Sequence, residues 1–249
     1  MNQPSSIEPL NRFILLLVLL FSFNAQSDAW RVLQISDSVG IYSSQADGFT
    51  SRIDKNLRSN SRVVDVRSYA VCAWSMLRWM ESGGSTTCGY ESHVSNGGKL
   101  KINSRYVKTH RVPSLGNLLS TYKPNALLIQ TGSNLYDWGH GSRPTNFNSG
   151  KGAVVKGQIH AVVEKFADYI VDHSQDLKLC VVVTPPPGQK KVPLAYYAMI
   201  QESLKTKLSS VCGVVGSSDL DLELNFSSRD GYHLAKGRDH QSWTDQVWK

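Results

Sequence analysis

Only four cysteines occur in 249 residues, and no two of them are close in sequence. No Cys-x-x-Cys and no His-x-x-x-His is present. The close ligand pairs that open most zinc sites are therefore missing, and neither a metal nor another cofactor is expected. Long apolar runs are equally scarce. The longest, residues 13–23, is short of the ~20 residues that a membrane-spanning helix needs. Basic residues exceed acidic ones, 27 against 20, yet they form no block of five and no nucleic-acid motif, so a nucleic-acid partner is not expected. The excess suits anionic surroundings such as envelope glycans. No internal repeat and no interdomain linker divides the chain.

What is present begins with a leader. Arg12 precedes the apolar run, and Ala25-Gln26-Ser27 or Ser27-Asp28-Ala29 offers small residues for cleavage. Residues 1–29 read as a signal peptide, with an uncleaved interfacial anchor as the alternative, and residues 30–249 as the exported part, periplasmic or secreted, with no stable membrane span after cleavage.

Beyond the leader, strand and helix patterns alternate. Trp30-Arg31-Val32-Leu33-Gln34-Ile35 is a short buried strand that ends in Ser36-Asp37-Ser38, and Gly40 permits a change of direction. Phe49, Ile53 and Leu57 mark a helical face, and Val63–Val71 a second strand rich in β-branched residues. Residues 82–113 are polar and Gly-rich, and read as an insertion with room for a hairpin near the mouth of a site. A short helix at Leu115, Leu118, Leu119 and Tyr122 is closed by Pro124. Ala126–Gln130 is a third strand and runs into Thr131-Gly132-Ser133-Asn134. A long amphipathic helix over 154–170, a strand at Leu179–Val183, a helix over 195–211 and a short strand at Gly213–Gly216 follow. Such alternation predicts an α/β fold, a five-stranded parallel sheet covered on both faces.

An exported chain meets an oxidising compartment, so the cysteines are expected to pair. Three pairings are possible. Cys72 with Cys88 would tie the insertion to the end of the second strand, and Cys180 with Cys212 would tie the starts of the fourth and fifth strands.

Three features carry chemistry. Ser38 follows the first strand, Gly132-x-Asn134 follows the third, and Asp230-x-x-His233 lies near the carboxyl terminus. A serine hydroxyl becomes a nucleophile when a base takes its proton, and His233 has the right intrinsic pKa for that task. Asp230 can hold the imidazole tautomer, and the Asn134 amide can donate to a developing oxyanion. Each pattern alone is also ordinary turn or capping chemistry; their combination and order point to acyl transfer.

In that order, Ser36-Asp37-Ser38, Gly132-Ser133-Asn134 and Asp230-Gly231-Tyr232-His233 resemble the blocks of the SGNH (GDSL-like) hydrolases over about residues 30–240. The resemblance implies a three-layer α/β/α flavodoxin-like fold. It also implies a triad of Ser38, His233 and Asp230, and an oxyanion hole from Asn134 and the backbone N–H of Ser38. Two positions depart from the family pattern. Ser36 stands where the first block has glycine. The second-block glycine, a backbone donor, is matched in position by Ala73, with Gly83 or Gly84 as the other candidates.

Trp74, Tyr136 and Asp137 are the expected substrate contacts. Sugar stacking and core packing both remain open for the tryptophan, and Asp137 is a second choice for the acid. The expected activity is ester hydrolysis, with an O-acetyl group on a carbohydrate or cell-envelope glycan as substrate. The alternatives are an O-acyltransferase with the same triad, a lipase or lysophospholipase, and a non-catalytic glycan-binding module.

Overall fold

A computed structural model describes residues 29–41, 48–81, 84–86, 89–96, 99–105, 110–132, 152–184, 194–216 and 237–248. The leader, Cys88, Asn134, Tyr136, Asp137, Asp230 and His233 lie outside the described residues.

The first strand, β1 (Trp30–Ser36), is buried from Val32 onward, as a strand covered on both faces must be. It pairs in parallel with β2 (Val63–Val71) on one side and β7 (Ala126–Gln130) on the other. Beyond β7 lie β8 (Leu179–Val183) and β9 (Gly213–Val215), both parallel. These are the five parallel strands expected. Numbered among themselves along the chain, they stand in the order 2-1-3-4-5, the flavodoxin-like arrangement.

The segment between β2 and β7 adds two more strands to the sheet. β4 (Tyr90–Asn96) pairs antiparallel with β2, and β5 (Lys99–Arg105) pairs antiparallel with β4, making a seven-stranded sheet among the described residues. The short β3 (Gly84–Thr86) and β6 (His110–Val112) form a separate two-stranded ladder.

Alternate residues of β1 feed two cores. Leu33 and Ile35 join Ile129 and Val182 in the larger one. Its other wall is α3 (Leu115–Tyr122), α4 (Gly152–His173) and α5 (Leu194–Leu208), whose Leu118, Phe166, Ile170 and Leu204 are buried there. The helix α3 starts on Ser114, whose hydroxyl accepts from the Asn117 N–H, and stops at Lys123 in the left-handed conformation before Pro124. The opposite face is covered by α1 (Phe49–Ser59) and α6 (Gly237–Trp248). Phe49 and Trp243 stack at 4.1 Å between ring centroids, both fully buried with Val39 and Ile53. The tail helix α6 was not expected, nor was α2 (Met76–Met80).

A buried polar stripe runs along α1 where it meets the sheet. Thr50, Asp54 and Arg58, four apart, share one face of the helix. Thr50 meets Ser36 of β1. Asp54 is 2% exposed and accepts from Ser68 Oγ (2.6 Å), Arg58 Nε (2.8 Å) and His93 Nδ1 (3.3 Å). The Nε2 of His93 reaches Glu91 Oε1 at 2.6 Å, and Arg58 also donates to Val66 O and Ser95 Oγ. This network fastens β4 to α1 and β2. Burial alone would raise the Asp54 pKa, but hydrogen bonds from His93, Arg58 and Ser68 hold it below the usual carboxylate range.

Cys180 and Cys212 are bonded, with a Cα–Cα distance of 4.5 Å, joining β8 to the start of β9. Cys72 is also disulfide-bonded.

Candidate active site

The sheet order places a topological switch between β1 and β7. From β1 the chain moves to β2 on one side and later returns to β7 on the other. Adjacent loops leave the sheet in opposite directions at such a point, and a crevice opens outside the carboxyl ends of the strands. Ser36 is in register with Ala70 of β2 and Gln130 of β7. Two residues further along each strand stand Ser38, Cys72 and Gly132. The three loops that carry Ser38, Ala73 and Gly132 therefore leave neighbouring strands side by side, about 4.8 Å apart at the sheet.

The Ser38 loop is a tight turn. Asp37 N–H donates to Gln130 O (3.2 Å), extending the β1–β7 ladder by one step. Gly40 N–H then donates to Asp37 O (3.1 Å) and Ile41 N–H to Ser38 O (3.3 Å). The Asp37 carboxylate accepts from Val39 N–H at 2.9 Å, an Asx turn that spends the acid on its own backbone. Asp37, Val39 and Gly40 are buried, whereas Ser38 at the bend is partly exposed.

The neighbouring loops carry two left-handed residues. Gly132 has φ 129°, a conformation that favours glycine. Ala73 has φ 56°, which is costly for a residue with a Cβ. Its side chain is exposed, and its N–H has no backbone partner among the described residues. The preceding Cys72 N–H, by contrast, donates to Gly89 O at 2.9 Å. Gly84, the other described candidate for the second-block glycine, opens β3 instead. A Cβ there would stand 2.8 Å from the Trp74 ring.

Trp74 itself belongs to the core. It is 3% exposed and meets Trp79 edge to face at 6.2 Å. Of the expected site residues, the structure thus brings Ser38 and Ala73 to adjacent strand ends, and it buries Trp74 in the core rather than at a substrate surface.

Solved structures share the fold. A DUF4886 family protein from Bacteroides uniformis matches with TM-score 0.50 and 13% identity over 88% of this chain and 82% of that one. TesA matches with TM-score 0.50 and 13% identity over 88% and 96%. The three-layer α/β/α fold with a mostly parallel sheet is one this chain shares with SGNH-type hydrolases such as TesA. A carbohydrate acetylesterase family member from Sinorhizobium meliloti also aligns, with TM-score 0.49 and 14% identity over 88% and 95%. No family model and no curated protein matches the sequence. In an open α/β sheet the switch point, here between β1 and β7, is where ligands bind. The Ser38 turn occupies it.

Sequence reasoning missed Thr50. It lies one helical turn before Asp54 and touches the residue two before Ser38. A threonine on the apolar face set by Phe49 and Ile53 was the available signal. Among the described residues no group of three or more His, Cys, Asp or Glu side chains is arranged to hold a metal ion, and no helix is long and apolar enough to cross a membrane.

Proposed function

We propose that this chain is an exported serine esterase that removes an acyl group, an O-acetyl group on a carbohydrate, through Ser38, His233 and Asp230. The observation that carries the reading is the position of Ser38: the partly exposed bend of a tight turn at the β1/β7 switch point, on a loop next to the one that carries the left-handed Ala73. Its N–H, which has no backbone partner among the described residues, is placed to serve as a donor there. With the Ser38 N–H and the Asn134 amide, it would complete an oxyanion hole.

In the first step Ser38 Oγ gives its proton to His233 and adds to the ester carbonyl. The oxyanion is held by the three donors, each worth roughly 3–4 kcal/mol in the transition state. His233 then protonates the leaving alkoxide, and acyl-Ser38 remains. Water, deprotonated by His233, attacks the acyl-enzyme, and Ser38 takes its proton back. Asp230 orients the imidazole and stabilises its charged form. Tyr136 and Asp137 would line the substrate side. The basic net charge favours an anionic glycan surface, and the leader and the disulfides fit an exported enzyme.

The test is hydrolysis of p-nitrophenyl acetate by wild type, Ser38→Ala and His233→Ala, with fluorophosphonate labelling of Ser38 alongside. Loss of turnover in both variants and a single adduct on the wild type are expected. Equal rates in all three proteins, with no adduct, would refute the triad. A preference for long-chain over acetyl esters would move the assignment to a lipase.

A further inference from the structure

We propose that the Ser36–Thr50 hydroxyl pair is a positioning device that fixes the Ser38 turn. The proposal rests on the reading of Ser38 as nucleophile and adds to it two residues that do not touch the reacting atoms.

The two hydroxyls are 2.6 Å apart, with Ser36 0% and Thr50 1% exposed. Ser36 is the last residue of β1, and Thr50 lies in the first turn of α1. The turn between them closes onto the pair. Gly40 has no side chain, and a Cβ built on it would lie 2.2 Å from Ser36 Oγ and 2.6 Å from Thr50 Oγ1. Its carbonyl accepts from Thr50 N–H at 3.3 Å. Thr50 thus holds both the strand that enters the turn, through its hydroxyl, and the limb that leaves it, through its backbone. No side chain caps the amino terminus of α1 at Gly48, so the Gly40 carbonyl satisfies one of the donors left open there.

The helix that presents Thr50 is itself held down on the same face. One turn on, Asp54 bonds Ser68 and His93; a further turn on, Arg58 bonds Val66 and Ser95. The pair is therefore anchored to three strands through one rigid element. This gives Ser36, the departure from the first-block glycine, a purpose: its Oγ is the group that Thr50 meets. A nucleophile must be held to within about 0.5 Å of its productive place, and a displacement near 1 Å costs on the order of 10²-fold in rate. Removing one hydroxyl leaves the other buried and unpaired, and frees the Gly40 limb to shift.

The experiment compares wild type, Thr50→Val, Thr50→Ser, Ser36→Ala, Ser36→Gly and the Ser36→Ala/Thr50→Val double variant. The readouts are kcat and KM for p-nitrophenyl acetate and the rate of fluorophosphonate labelling. Thr50→Val and Ser36→Ala should each lower kcat and labelling by about tenfold or more with KM within about twofold. Thr50→Ser, which keeps the oxygen, should restore most of the rate. Ser36→Gly, although it supplies the family glycine, should slow the enzyme. The double variant should be no slower than the worse single one, the mark of a shared interaction.

Wild-type rates in Thr50→Val, equal loss in Thr50→Ser, or additive losses in the double variant would overturn the proposal. Should Thr50→Val fail to fold, Ser36→Ala carries the same comparison, since it deletes a single oxygen. A wild type that takes no label overturns the esterase reading and this one with it. A labelled wild type beside an equally fast Thr50→Val overturns this one alone.

Discussion

Ala73→Gly should make the protein more stable, against the usual direction for glycine. Ala73 has φ 56°, and holding an L-residue there costs roughly 1–2 kcal/mol. Glycine removes that strain but adds roughly 0.5–1 kcal/mol of backbone entropy to the unfolded chain. The side chain is exposed, so no packing is lost with the methyl group. The balance is a gain of about 0.5–1 kcal/mol, or a Tm rise of about 2–3 °C for a chain of this size. Ala73→Val should lose more than about 1 kcal/mol, because a β-branched residue tolerates positive φ least. Urea unfolding followed by the fluorescence of the buried Trp74, Trp79 and Trp243 measures both variants. The backbone N–H survives in the glycine variant, so p-nitrophenyl acetate turnover should persist. A midpoint for Ala73→Gly at or below wild type would refute the strained conformation.

Three further outcomes are expected. Burial would lower the His93 pKa, but its hydrogen bonds to Asp54 and Glu91 raise it from 6.5 to about 9. The stability it contributes is therefore complete below about pH 6.5 and is lost as pH rises through about 9, up to about 3 kcal/mol in all. Urea midpoints should fall across that window in wild type and stay flatter in His93→Gln; a wild type with no such fall would refute the clamp. The Cys180–Cys212 bridge closes a loop of separation 32, which chain entropy values at about 4 kcal/mol. The Cys180→Ala/Cys212→Ala variant should lose stability on that scale, and an unchanged midpoint would refute it. Trp243→Ala empties a buried site against Phe49 and should cost about 3–5 kcal/mol. Hydrogen exchange should then quicken in α1 and α6 together, and a change confined to α6 would show that the stack does not join them.

The sheet was legible because its strands are buried on both faces. Runs such as Ala126–Gln130 and Leu179–Val183 are nearly continuous in apolar residues and end in Gly or Pro. The helices α1, α3 and α4 were legible because Phe49/Ile53/Leu57, Leu115/Leu118/Leu119 and Ile159/Val163/Phe166 keep helical spacing. The segment after β2 resisted because its order comes from polar groups far apart in sequence. Nothing local to Ser92-His93-Val94 says that the imidazole faces Asp54. The helix α6 was hidden for a similar reason. Trp243 and Val247 are a thin apolar stripe on an otherwise polar segment, and their partner Phe49 lies near the other end of the chain. At the candidate site, the position of Ser38 followed from strand and turn signals alone. The left-handed state of Ala73 did not, since alanine carries no mark of it. Nor did the Thr50 contact, which exists only once α1 folds back across β1.

The stack of Phe49 on Trp243 has a bearing on biosynthesis. During translation the serine turn and α1 emerge early, while the ring that covers Phe49 follows about 190 residues later. Until then an aromatic face next to the turn is bare, an invitation to holdase chaperones and proteases. A chain cut short before Trp243 would keep that face bare and leave the turn at Val39 without its cover.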